Sequence, residues 1–239
     1  MRNLSMIIEY DGTSFYGWQY QPDRRTVQGE IQTALRQITG EEISLTAAGR
    51  TDQGVHALGQ VANFHTGSEL SLHTIQKAVN ALVRDDVYVR EIKVVPDEFN
   101  SRFSAKTKVY HYNITLEPSP FRLRYSWYLA HALDTLIMQS VASSLAGERD
   151  FKNFSVHNGE DNTVCNVHTI TLQREDNRIV IKLEGNRFLR KMVRGIVGFL
   201  VDVGRGRFPV PDSQGYLMGP KMDFNFAPPQ GLFLVEVKY

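Results

Sequence analysis

The chain has one cysteine, Cys165, which excludes an internal disulfide and fits a reducing, cytoplasmic setting. It has no run of about 18 apolar residues, so no membrane-spanning helix is expected. The opening stretch, Met1-Arg2-Asn3-Leu4-Ser5-Met6-Ile7-Ile8-Glu9-Tyr10, carries too short an apolar core for a signal peptide and reads as a first strand. Seven scattered histidines and the lone cysteine lack metal-ligand spacing, so no metal is expected. Neither the glycine-rich turn of dinucleotide-binding folds nor a P-loop is present. Charge of one sign is missing too: 27 Lys and Arg against 26 Asp and Glu leave a net +1. That balance neither requires nor excludes nucleic acid, because a local basic surface can hide within it.

What is present is ordinary globular composition, 42% hydrophobic and 22% charged over 239 residues, enough for one large domain or two small ones. The most informative stretch is Gly49-Arg50-Thr51-Asp52-Gln53-Gly54-Val55-His56-Ala57. Ile43, Leu45 and Ala47 alternate with polar or small residues before it, the period of a half-buried strand. Gly59-Gln60-Val61-Ala62-Asn63-Phe64 begins another extended run after it. The polar stretch therefore sits in a loop held between strands, where a carboxylate can be fixed in place. Arg50 beside Asp52 favours the ionised carboxylate, a usable nucleophile. A polar turn in which Asp52 bonds its own backbone fits the spacing as well.

Elsewhere the element signals are clear. Thr26 as N-cap, then Val27, Ile31, Leu35 and Ile38, then Gly40, predict a helix. A second helix starts near Ser71 or Thr74 with Ile75, Ala78, Val79 and Leu82 as its apolar face, followed by a strand from Val87 to Val95 closed by Pro96. The order strand, helix, strand, strand, helix, strand is the ferredoxin-like, split βαβ plan. Leu133 to Leu145 reads as a helix with Leu136, Ile137, Val141 and Leu145 inward and Gly147 as its stop. His157 to Thr163 is a polar loop, and Asp176-Asn177 turns one strand into the next. A brief helix is expected between Phe208 and Phe226. Arg187, Arg190, Lys191 and Arg194 fall at i, i+3, i+4 and i+7, which on a helix makes one basic stripe. Arg205 and Arg207 extend it, no acid accompanies it, and such a stripe suits a phosphate backbone.

Gly-Arg-Thr-Asp-x-Gly-Val-His-Ala resembles the signature of the TruA family of tRNA pseudouridine synthases. So do Tyr10-Asp11-Gly12-Thr13-x-Phe15-x-Gly17-Trp18-Gln19, Phe99-Asn100-Ser101-Arg102-Phe103-Ser104-Ala105, Asp150-Phe151-x-x-Phe154, Phe188-Leu189-x-x-Met192-Val193-Arg194-x-Ile196-Val197-Gly198, and Ala227-Pro228 through Tyr239. The resemblance implies an α+β pseudouridine synthase fold of two ferredoxin-like halves with a central active-site cleft, divided at 1–104 and 105–239. It implies isomerisation of uridine to pseudouridine at positions 38 to 40 of the tRNA anticodon arm, by a flipped-out base, with no cofactor and as a homodimer. Asp52 is then the catalytic residue, attacking C1′ or C6 of the uridine, with Arg194 beside it and Tyr110 stacking on the base. Arg50, Phe99, Arg102, Phe103, Arg187, Arg190 and Lys191 become substrate-binding residues. Ser101 stands where alanine is usual, Cys165 where an arginine is usual, and Leu70 near a position that can carry another arginine. Three readings compete: an RNA-binding protein of this fold without catalysis, a paralogue acting on other uridines, and a glycoside hydrolase, for which the 49–57 stretch offers no second carboxylate.

Overall fold

The first strand is built by Leu4, Met6, Ile8 and Tyr10, which alternate onto one face and are all buried. In the computed structural model, residues 1–157, 159, 162–208, 215, 217 and 223–239 are described. Most of the segment expected to carry a brief helix between Phe208 and Phe226, and part of the polar loop 157–163, lie outside the described residues; Gly215 and Leu217 within the former are helical. The chain forms two units, Met1–Lys106 with Phe233–Tyr239, and Thr107–Leu232. The C-terminal strand thus folds with the N-terminal half, whereas a division at 104/105 by chain order assigns it to the other half.

In the first unit, β1 (Arg2–Tyr10) lies antiparallel between β3 (His56–Thr66) and β4 (Val87–Val95). Helix α1 (Val27–Thr39) starts where the Thr26 side chain accepts from the Gly29 amide and stops at Gly40, which takes the left-handed conformation with φ 71°. Helix α2 (Leu72–Leu82) is capped by Ser71, whose hydroxyl oxygen accepts from the Thr74 amide at 3.1 Å. Its buried face is Ile75 and Val79, continued by Val83, and Leu82 is exposed. The chain leaves the helix at Val83 (ψ 158°), which turns Val83 inward in place of Leu82. The strand expected around Ile43–Ala47 shrinks to β2 (Thr46–Ala47), paired with β3. Gln28 and Gln32 of α1 donate to the carbonyls of Leu45 (3.1 Å) and Ile43 (2.6 Å), so those oxygens are satisfied by the helix instead of a ladder. Strand β10 (Leu232–Lys238) runs parallel to β3 through Phe233 opposite His56 and Leu234 opposite Ala57.

The second unit repeats the alternation of strands and helices. Its strands lie in the order β5 (Thr107–Thr115), β9 (Arg178–Gly185), β8 (Val164–Glu175) and β7 (Gly147–Asp150), with β6 (Trp127–Tyr128) parallel on β5. The β8–β9 hairpin turns through Asp176-Asn177, with Asp176 at φ 50°. Helices α3 (Pro120–Leu123), α4 (Thr135–Ser144) and α5 (Met192–Gly204) complete it. The inward face of α4 is Met138, Val141 and Ala142, and Leu136 points to solvent, 83% exposed. A side chain on Gly204 would meet the Met138 sulfur at 2.6 Å, so Met138 fills the room that this glycine leaves and sets the helix rotation. Gly147, expected as the helix stop, opens β7 instead; the helix closes at Ser144, where the Leu145 amide bonds the Val141 and Ala142 carbonyls.

The basic stripe is not a helix face. Helix α5 starts only at Met192, and Lys191 before it has φ 61°. The preceding backbone is committed elsewhere: the Asn186 amide donates to the Asn166 carbonyl at 3.0 Å, and the Val156 amide to the Arg190 carbonyl at 3.0 Å. Those groups cannot enter an i to i−4 ladder, so Arg187, Arg190 and Lys191 lie on a connecting segment and only Arg194 is helical. Arg207 is not free of acids either, since its guanidinium donates to both carboxylate oxygens of Asp202 at 3.0 Å.

Candidate active site

Around Asp52 the first unit builds a clamp. The Tyr10 hydroxyl and Thr51 Oγ1 are 2.8 Å apart and buried. The Trp18 amide donates to the Thr51 carbonyl at 3.1 Å, and Gln60 Nε2 donates to the Gly49 carbonyl at 2.7 Å. The Val55 amide donates to the Asp52 carbonyl at 3.1 Å, which closes the turn, with Gly54 as its third residue at φ 77°. Val55 and His56 are buried behind the turn, Arg50 is exposed, and Asp52 is half-buried. The carboxylate is therefore carried on backbone fixed on both sides of it, next to solvent.

The aromatic-glycine motif supplies most of that clamp. A Cβ on Gly12 would sit 2.0 Å from the Val55 carbonyl oxygen, and one on Gly17 (φ 88°) 2.7 Å from the Thr51 carbonyl oxygen. Only glycine permits both approaches. Phe15 and Trp18 are buried, and the Arg25 guanidinium lies over the Phe15 ring at 4.1 Å while donating to Asp86 at 2.6 and 2.8 Å and to Glu30 at 2.8 Å. The hydrogen bonds from Arg25 to Asp86 hold its guanidinium charged well above the usual range. His56 accepts from the Gly12 amide through Nδ1 at 3.1 Å, and its ring stacks on Phe233 at 4.6 Å. The same Nδ1 lies 3.1 Å from Asp11 Oδ1.

A second feature of this unit is the turn at 99–104. Asn3 donates to the Pro96 and Phe99 carbonyls at 2.9 Å, and the Ser101 amide donates to Asn63 Oδ1 at 2.8 Å. Asn100 Oδ1 accepts from the amides of Arg102 (2.9 Å) and Phe103 (3.2 Å). Thus Arg102 and Phe103 are held out to solvent, Phe103 78% exposed, with the guanidinium 5.4 Å from the ring. Phe99 is different: it packs against Tyr239 at 4.9 Å and supports the turn.

In the second unit Tyr110, in β5, pairs with Leu183 of β9, is nearly buried, and meets the Phe188 ring edge-on at 5.2 Å. Arg194 Nε donates to the Ala227 carbonyl at 2.7 Å, and the Ala227 amide donates to the Arg194 carbonyl at 3.0 Å. This reciprocal pair fixes the first turn of α5 to the start of the Ala-Pro motif. Arg187 donates to the Asn162 carbonyl at 2.9 Å, Arg190 is exposed and Lys191 half-buried. Cys165 is buried in β8, and Leu70 is partly exposed.

Reasoning from the sequence missed Tyr10, Thr51 and Gln60 as supports of the Asp52 turn. They come from β1, the turn itself and β3. Among the described residues no group of three or more His, Cys, Asp or Glu side chains could hold a metal. Among the described residues no helix is long and apolar enough to cross a membrane.

A family model described as tRNA pseudouridine synthase matches residues 6–104 and 141–239. A protein of Chlorobium limicola named tRNA pseudouridine synthase A is 45% identical, covering 100% of both chains. One of a Thermoanaerobacter species with the same name is 39% identical over 100% of both. One of Aquifex aeolicus, again so named, is 40% identical over 99% of both.

Proposed function

The chain belongs to the tRNA pseudouridine synthase family, and from that premise we propose that it isomerises uridine to pseudouridine at positions 38, 39 and 40 of the tRNA anticodon arm, as a homodimer. The reaction breaks the bond between ribose C1′ and uracil N1, turns the base, and joins C1′ to C5. The proton on C5 is lost and N1 gains one, so nothing is oxidised and no group is donated. The target base is in a stem or its edge and must leave the stack to be reached.

Asp52 is the nucleophile in this proposal, adding either to C1′ or to C6. The observation that carries it is the turn around Asp52: neighbouring backbone groups at Gly49, Thr51 and Asp52 are all pinned while the residue itself stays half-buried at the surface. A polar turn with no task needs no such fixing. Tyr110 stacks on the flipped base and helps remove the C5 proton. Arg194 orients the carboxylate. Arg50 takes the space the base vacates, and Arg102 with Phe103 offers a cation and an exposed ring, a pairing that suits RNA. Phe99, Arg187, Arg190 and Lys191 complete the RNA-binding set, Phe99 by supporting the turn.

The test is pseudouridine formation on an unmodified tRNA transcript with uridine at position 39, wild type against Asp52→Ala. The expected result is full conversion by wild type and a loss of at least about a thousand-fold in the variant, with tRNA affinity retained. Tight binding without conversion by wild type refutes the assignment to positions 38 to 40, and a transcriptome-wide pseudouridine map then separates an enzyme acting on other uridines from a silent RNA-binding protein.

A further inference from the structure

We infer that Tyr10 is a positioning residue for the isomerisation, its hydroxyl fixing the Asp52 carboxylate through the side chain of Thr51; this rests on the assignment of Asp52 as nucleophile. Tyr10 ends β1, with its ring buried against Trp18 at a centroid distance of 6.1 Å. A phenylalanine would fill that space equally well. What tyrosine adds is a hydroxyl deep in the unit, and a buried hydroxyl is costly unless bonded. Its partners are the Gln60 side chain and Thr51 Oγ1, the latter at 2.8 Å and on the residue immediately before Asp52.

Three features make the bond a locator. First, Thr51 is held at two points, by Tyr10 on its side chain and by the Trp18 amide on its carbonyl. The peptide that leads into Asp52 therefore has little freedom to rotate. Second, the β1–β3 register shifts between Ile8, opposite Gln60, and Tyr10, opposite Ala57. Leu58 and Gly59 thus stand against Glu9 alone, a bulge of the kind that re-aims a neighbouring side chain. It sets the end of β1 against the point where the turn enters β3. Third, burial pushes the Tyr10 hydroxyl well above the usual phenol range, so it stays protonated wherever the enzyme works. A displacement of about 1 Å at a reacting group can cost about a hundredfold in rate.

The experiment is single-turnover conversion of the position-39 transcript, with tRNA affinity and thermal unfolding measured on the same preparations below the melting point of each variant. Tyr10→Phe and Thr51→Val are each expected to slow the step by roughly 5- to 50-fold with tRNA affinity within about twofold. The double variant is expected to be no slower than Tyr10→Phe alone, because the bond that Thr51→Val removes is already lost in Tyr10→Phe. Thr51→Ser, which restores the hydroxyl, is expected to recover most of the rate lost in Thr51→Val. A purely structural role predicts a lower melting point with an unchanged rate in the folded protein, and that result overturns the inference. So do losses that multiply in the double variant. If Tyr10→Phe fails to fold, the contrast of Thr51→Val with Thr51→Ser decides alone. Asp52→Ala runs alongside: activity there sinks the nucleophile assignment itself, whereas a dead Asp52→Ala with a fully active Tyr10→Phe sinks only the positioning role.

Discussion

At the scale of single residues, Ser101 has well-used backbone and an idle side chain. Its amide is bonded to Asn63 and its carbonyl accepts from the Tyr239 hydroxyl at 3.0 Å. Its own hydroxyl oxygen is fully buried with no hydrogen-bond partner among the described residues. Alanine is usual in the motif that this segment resembles, and the environment is that of an alanine. Burying an unbonded hydroxyl costs about 1–3 kcal/mol by mutational measures. Ser101→Ala is therefore expected to raise stability by about 1 kcal/mol, read as a higher urea midpoint at unchanged m. A lower midpoint overturns the prediction. Asp52 was legible at this scale because its neighbours in sequence carry the signature. Tyr10 and Gln60 were not, because each reaches the turn across the sheet and no local pattern marks such a partner.

At the scale of elements, caps and stops proved the readable part. Thr26 and Gly40 bound α1 by local chemistry that owes nothing to distant residues. The segment before α5 misled because its bases repeat at helical spacing while its backbone bonds to Asn166 and Val156. The rotation of α4 misled because hydropathy ranks Leu136 with Met138, and only the gap at Gly204 separates them. Helix α5 itself is buried along nearly its whole length and is packed by glycine. A Cβ on Gly195 would lie 2.1 Å from the Phe154 carbonyl oxygen, and one on Gly198 1.9 Å from that of Asn225. Helix propensity alone favours alanine over glycine by about 1 kcal/mol. A clash with backbone outweighs it, since no side-chain rotation relieves it. Gly195→Ala and Gly198→Ala are each expected to destabilise the protein by about 1–3 kcal/mol in denaturant unfolding. A gain in stability for either would show that the helix can slide off its neighbours.

At the scale of the whole molecule, the end of the chain completes a unit that the beginning started. Phe233 and Leu234 pair with His56 and Ala57 directly after the Asp52 turn. Gly59 lies so close to the Val235 carbonyl that a Cβ would approach it to 2.4 Å. Tyr239 packs on Phe99 and donates to Ser101, and the Lys106 amide donates to the Lys238 carbonyl at 2.9 Å. The last strand therefore braces both the His56 end of the turn and the 99–104 turn. Reading the chain in order could not show this, since the resemblance at 227–239 fixes a strand but not its neighbour. Removing residues 233–239 takes away the buried Leu234 and Val237, a ring stacked on His56, the pairing with β3 and two further hydrogen bonds, together at least about 5 kcal/mol. That is comparable with the whole stability of an ordinary domain, about 5–15 kcal/mol. The truncated protein is expected to lose amide-exchange protection in β1 and β3 while β8 and β9 keep theirs, because the second unit holds its own core. Equal loss of protection in β8 and β9 would mean that the two units unfold as one, and retained protection in β3 would mean that the last strand is dispensable to the turn it was argued to brace.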